Sequence, residues 1–352
     1  MTNLQPGSDA WLAQVREEPI EPEQSIIDPH HHLWKNRFGR DYLLPEFHGD
    51  TGGGHNIVKS VFMECRAFWL REGPEHLRPT GETRHIADLV RRSESGPSTS
   101  GKNRKAPRIA GIVAHADLRL AATAKLGELL DAHEAVCGGR LRGIRQCAAV
   151  DRQAPLFIDV GAPAGLYADA DFRAGLRMLA ARNLTFDAWH YHHQMRDFID
   201  LAQALPECTF VLDHFGTPLG VGPWRLEAVY PQWRRDLAAL ARCENVHAKL
   251  GGLAMPDNGF GWHEAARPPD SDEFVAAQKP WYLHAIDCFG PQRCMFESNF
   301  PVDRLSIGYT VLWNGFKKLV ADFSEAEKQA LFHGTAAKVY RLRSESPAQA
   351  DC

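Results

Sequence analysis

Short apolar runs rich in β-branched residues alternate along this chain with longer stretches whose apolar positions recur at helical spacing. The strand-like runs are SIID (25–28), IVKSVFME (57–64), IAGIVAHA (109–116), LRGIRQC (141–147), LTFDAW (184–189), CTFVLD (208–213), NVHAKLG (245–251) and RCMFES (293–298). Helical periodicity predicts helices over 75–92, 120–136, 172–182, 195–205, 230–243, 271–289 and 324–341. Strands that alternate with helices pair in parallel through right-handed crossovers. A count of eight predicts an α/β fold closed into a (β/α)₈ TIM barrel rather than an open sheet. The barrel is expected over 25–342, after a polar extension (1–24) and before a short tail (343–352).

Two segments break the alternation. SESGPSTSGKNRKAP (93–107) is polar and aperiodic and reads as a mobile surface loop. GDTGGGHN (49–56) follows the first strand and lacks the GK[ST] of a phosphate-binding loop, so it reads as a flexible lid or a plain connector.

Composition narrows the class. With 352 residues, 44% hydrophobic and 24% charged, the chain can bury a large core. A net charge of −4 argues against nucleic acid or an anionic membrane surface as partner and leaves a small molecule. No run of 18 apolar residues and no secretory leader pattern is present. Eight cysteines without a CxxC spacing read as reduced thiols, and the expectation is a cytoplasmic protein. Trp262 and Trp281, if exposed, would favour a homodimer.

The chemistry begins at Asp28-Pro29-His30-His31-His32. Alternation along a strand puts Asp28, His30 and His32 on one face and His31 on the other. Two imidazoles so spaced can grip one divalent metal, with Asp28 as a carboxylate that orients one of them; a histidine-rich turn fits the spacing equally well. The run TFVLDHFG ends in His214, at a barrel mouth where catalytic groups collect. Trp189-His190-Tyr191-His192-His193 follows the fifth strand; Trp189 and His192 are the candidate substrate contacts. His115 with Asp117 is a weaker candidate of the same kind. Lys249, at the end of the seventh strand, would stabilise an oxyanion, bind a substrate carboxylate or form a structural salt bridge.

DPHHHLW, VLDHFG and MFESNFP together resemble the amidohydrolase superfamily, in the branch of 2-pyrone-4,6-dicarboxylate and sugar-lactone hydrolases. The resemblance spans roughly residues 25–342. It implies a metal-dependent barrel hydrolase, with zinc the expected ion, although some lactonases of the branch work without one. His30, His32 and His214 match its histidines, and Arg145 matches an arginine that binds substrate carboxylate; an ion pair inside the barrel is the alternative for Arg145. In one place the chain departs from the pattern. The family's eighth strand ends in Ser-Asp-x-Pro, and here the aspartate is Asn299, which cannot take a proton from water. Asp303, then Glu297, then Glu64 are the candidate replacements, and Glu64 is also a candidate metal ligand. The resulting expectation is hydrolysis of a small carboxylated lactone. The alternatives are a metal-dependent, non-oxidative decarboxylase of an unsaturated or aromatic acid, and a degenerate barrel that binds without turnover.

Overall fold

A computed structural model of the chain describes residues 4–95 and 106–342. Most of the loop expected at 93–107 and the whole tail from 343 lie outside the described residues. The barrel strands are β1 Ser25–His31, β4 Asn56–Met63, β5 Arg108–His115, β6 Leu141–Arg145, β7 Thr185–Ala188, β8 Phe210–Leu212, β9 Val246–Leu250 and β10 Cys294–Phe296. They pair in chain order, each parallel to the next. The ring closes where His32 N donates to Phe300 O (2.8 Å) and Asn299 N donates to His30 O (3.0 Å). This is the (β/α)₈ barrel that the alternation predicts.

Neighbouring strand residues fall into different cores, as a pleated barrel wall requires. Ile26, Phe62, Ile112, Phe210 and Phe296 pack outward against the helices. Ile27, Val61, Val113, Val211 and Met295 pack inward, where Val339, Tyr340 and Leu342 complete the cluster. Farther along the same strands the interior turns polar, with Arg145, Asp187, Asp213, Lys249 and Glu297 all buried. The apolar layer is a foundation, and the charged layer above it carries the site.

Several expectations change. The glycine-rich stretch 49–56 is no lid: the helix Leu44–Thr51 runs into it, and buried His55 is bonded to Thr310 O and Lys317 Nζ. A two-stranded hairpin, β2 Trp34–Arg37 with β3 Arg40–Tyr42, and a helix Tyr309–Leu319 were not foreseen. The stretch 324–341 is two short helices joined by a π turn, Ala330–Gly334. Trp281 is not exposed as expected but buried against Trp233, while Trp262 is half-buried and stacks on Phe260. No helix among the described residues is long and apolar enough to cross a membrane. The seven described cysteines are all free thiols.

Candidate active site

β1 and β4 do not stay in step. Asp28 pairs with Ser60 and His31 with Phe62, so three steps along β1 match two along β4. This bulge breaks the alternation and turns Asp28 off the face of His30 and His32. Asp28 instead accepts from Ser298 N (3.0 Å), Ser298 Oγ (2.6 Å) and Tyr309 Oη (2.9 Å). It ties the last strand and its helix to the first, and it does not orient an imidazole as alternation suggested. Burial pushes its carboxyl up to about 6. His31 points outward, stacked on Phe47 and bonded to Ser60 Oγ.

His30 and His32 face each other, with 3.2 Å between their Nε2 atoms. His32 Nδ1 donates to the Met63 carbonyl oxygen at 2.9 Å, so its Nε2 carries a lone pair. His214 Nδ1 donates to Glu297 Oε1 at 2.7 Å, which leaves its Nε2 bare as well. His30 Nδ1 lies 2.8 Å from Glu297 Oε2 and 3.2 Å from Lys249 Nζ. The His30 and His214 rings are 4.5 Å apart. Burial lowers both His30 and His32, so both are neutral at ordinary pH.

Local backbone sets this arrangement. His214 has φ of +54° and turns the chain sharply at the end of β8. Gly252 permits it, because a Cβ there would stand 2.3 Å from His214 Nδ1. A Cβ on Gly251 would likewise fall 2.5 Å from Glu297 Cγ.

The buried charges form one network. Arg145 Nε donates to Glu64 Oε1 (2.8 Å) and Nη1 to Asp213 Oδ2 (3.3 Å), while Nη2 donates to the Glu64 carbonyl. Lys249 Nζ lies 2.8 Å from Asp187 Oδ2 and 3.0 Å from Asp213 Oδ1. Burial alone would lower Lys249 and raise Asp213; Asp187 and Asp213 outweigh it at Lys249, whose value is raised, and Lys249 and His30 outweigh it at Asp213, whose value is lowered. Burial would also raise Glu297; His214 and His30 outweigh it and bring the carboxyl down to about 2. Glu64 is held below its ordinary value, because Arg145 and His115 outweigh its burial. Asp303 has no such cation in contact, and burial pushes it up to about 7.

A cavity of about 360 Å³ opens over this network. Its lining includes His32, Glu64, Arg145, Trp189, His214 and Asn299. The other candidates stand apart from it. Lys249 is fully buried in its ion pairs and Glu297 lies behind the imidazoles. Asp303 accepts from Asn299 Nδ2 (2.9 Å) and Ala254 N (3.3 Å). His192 has left strand geometry; its Nδ1 accepts from Leu219 N and its ring packs edge-on to Trp224. Asp117 caps a short 3₁₀ turn. Arg145 is already paired twice, so it enters the site as part of an ion network.

The residues missed were Asp213, Arg37 and Arg66. Asp213 stands beside His214 in the same strand-end signal, and its position after β8 was readable. Its carboxylate lies within 4.8 Å of nitrogens of His30 and His214, a compact group that neither His32 nor Glu64 joins. Arg66 follows Glu64 at the end of β4 and could have been found by the same strand-end rule. Arg37 sits in a hairpin whose strands of three and four residues leave no periodic signal.

A divalent cation fits between His30 and His32, beside this group. Two nitrogens on one tetrahedral zinc stand about 3.3 Å apart, given bonds of about 2.0–2.1 Å. His30 and His32 have that separation, at 3.2 Å. Asp213 Oδ2 accepts from Arg145, while Oδ1, 3.0 Å from Lys249 Nζ, has no hydrogen-bond partner among the described residues.

The amidohydrolase family profile matches residues 27–342. The chain belongs to the amidohydrolase family. A Sinorhizobium fredii protein of uncharacterized activity is 31% identical over 90% of this chain and 99% of its own length. An L-fucono-1,5-lactonase of Burkholderia multivorans is 27% identical over 90% of this chain and 96% of its own. Among solved structures, a Burkholderia multivorans amidohydrolase with bound zinc superposes with a TM-score of 0.70 at 26% identity, covering 90% of this chain and 99% of that one.

Proposed function

We propose that this amidohydrolase opens a small carboxylated lactone by attack of water on the ring ester. The observation that carries the reading is that His30 stands between His32 and His214, its Nε2 3.2 Å from that of His32 and its ring 4.5 Å from that of His214, with His32 and His214 both lining the cavity. The lactonase and zinc-bound relatives favour the same chemistry.

His30, His32 and His214 would hold the cation, zinc on the relative's precedent. Such an ion polarises a carbonyl and lowers the pKa of bound water to about 7. Glu297 fixes the rings of His30 and His214 from behind, which leaves the His30 Nε2 facing that of His32 and the His214 ring at the cavity wall. Glu64 is the buried carboxylate that borders the cavity, and its Oε2 has no hydrogen-bond partner among the described residues. It is therefore the better placed proton acceptor, ahead of Asp303 and Glu297, which reverses the order expected from sequence. The water oxygen bonds to the carbonyl carbon and the ring C–O bond breaks. The proton passes through Glu64 to the leaving alkoxide, and the product is a hydroxy acid. Arg145, with its guanidinium 5.7 Å over the Trp189 ring, forms one wall of the cavity.

Acid release from 2-pyrone-4,6-dicarboxylate and L-fucono-1,5-lactone, measured beside carbon dioxide release from 2,6-dihydroxybenzoate, tests the reading. Lactone opening without carbon dioxide is expected, and Glu64→Gln should lower kcat by about 10²-fold or more. Carbon dioxide release with intact lactones would refute it.

A further inference from the structure

Two arginines of the cavity lie outside the ion pairs described above. Arg37, from β2, and Arg66, just past β4, both line it. Arg37 is half-buried with its guanidinium 5.4 Å over the Trp34 ring. Arg66 is exposed, and its Nη1 donates to the Val160 carbonyl at 3.1 Å. Among the described residues neither forms an ion pair with a carboxylate. Arg145 differs on this point, since Glu64 and Asp213 already neutralise it. Guanidinium groups that face a cavity with donors to spare are suited to a ligand carboxylate.

The wall beside them is aromatic. Phe38 and Phe157 lie 4.9 Å apart at the mouth, the rings tilted by 30°. Phe157 is 42% exposed, one of two large hydrophobic side chains so placed among the described residues. It is held there deliberately: Asp257 accepts from Phe157 N at 2.6 Å and from Ile158 N at 3.3 Å. An exposed phenyl ring anchored beside a cation over a cavity suits a flat ligand face. The lining beside these rings also includes Trp34, Ile158, Val160 and Met255, with Asp159 among its polar residues.

We infer that Arg37 and Arg66 are the carboxylate-recognition residues of this site, and that with Phe38 and Phe157 they select a planar, anionic lactone over a polyhydroxylated neutral one. The inference rests on the lactone-opening reading for its substrate, but its recognition chemistry can be tested without turnover.

Calorimetry with benzene-1,3-dicarboxylate and its neutral diamide supplies that test. The wild-type protein should bind the dianion at least about tenfold more tightly, and the Arg37→Gln/Arg66→Gln variant should lose that preference. Arg66→Lys should keep part of it. The ratio of kcat/KM for 2-pyrone-4,6-dicarboxylate to that for L-fucono-1,5-lactone should fall about 30-fold in the double variant. Equal binding of dianion and diamide, or a preference that survives both substitutions, overturns the inference. A wild-type protein that opens neither lactone yet shows the arginine-dependent preference refutes the reaction and upholds the recognition site. Lactone opening with no arginine dependence does the reverse.

Discussion

Asn299 donates its side-chain amide to the carboxylate of Asp303 over 2.9 Å. The neutral residue at the end of the last strand is thus backed by a buried acid one turn farther on. Burial pushes Asp303 up to about 7, well above its ordinary value of 3.8. A carboxyl raised in this way binds a proton in the folded protein that the unfolded chain has already released. Its stabilising contribution is full below the unfolded value and is lost as pH rises through the folded one.

Asp303→Asn removes that dependence. The Tm of the variant relative to wild type should climb by a few degrees between about pH 5 and pH 8. Thermal melts across that range check it, and a Tm difference independent of pH would show that Asp303 is already ionised in the fold.

Glu297 touches two of the three imidazoles, so its loss should be felt at both. Glu297→Gln should weaken zinc binding and lower kcat/KM by about 10–100-fold each, with the far-ultraviolet dichroism unchanged. Competition with a chromophoric chelator reads the first effect and acid release reads the second. Unchanged zinc affinity would mean that Glu297 orients nothing.

Lys249 compensates two buried aspartates. Lys249→Met leaves Asp187 and Asp213 facing each other without it and should cost about 3–5 kcal/mol in urea denaturation. A variant of unchanged stability but raised KM would show instead that Lys249 reaches substrate.

The barrel was legible because its signal is long-range and redundant. Eight apolar runs alternating with helical stretches tolerate boundary errors of a few residues, and strands such as Asn56–Met63 and Arg108–His115 announce themselves by β-branched content. The hairpin from Trp34 to Tyr42 and the helix Leu44–Thr51 were not legible, because short elements held by tertiary contacts carry no period. At the site, His30, His32 and His214 could be named from strand ends alone. Asp28 was misplaced because a bulge between β1 and β4 shifts the face by one residue; Pro29, which cannot donate to the ladder, lies inside it and was its one local mark. The occupancy of Arg145 and Lys249 by carboxylates was also hidden, since it depends on partners from other strands brought together only by closure.

The central claim is that His30, His32 and His214 together hold the cation with which this amidohydrolase opens lactones. Stripping the protein with a chelator and then titrating zinc while following acid release from 2-pyrone-4,6-dicarboxylate tests it most directly. Activity should vanish on stripping and return in proportion to zinc, up to about one ion per chain, and His32→Ala should recover less than about a thousandth of it. Full lactone opening by the stripped protein, or by His32→Ala, would contradict the account.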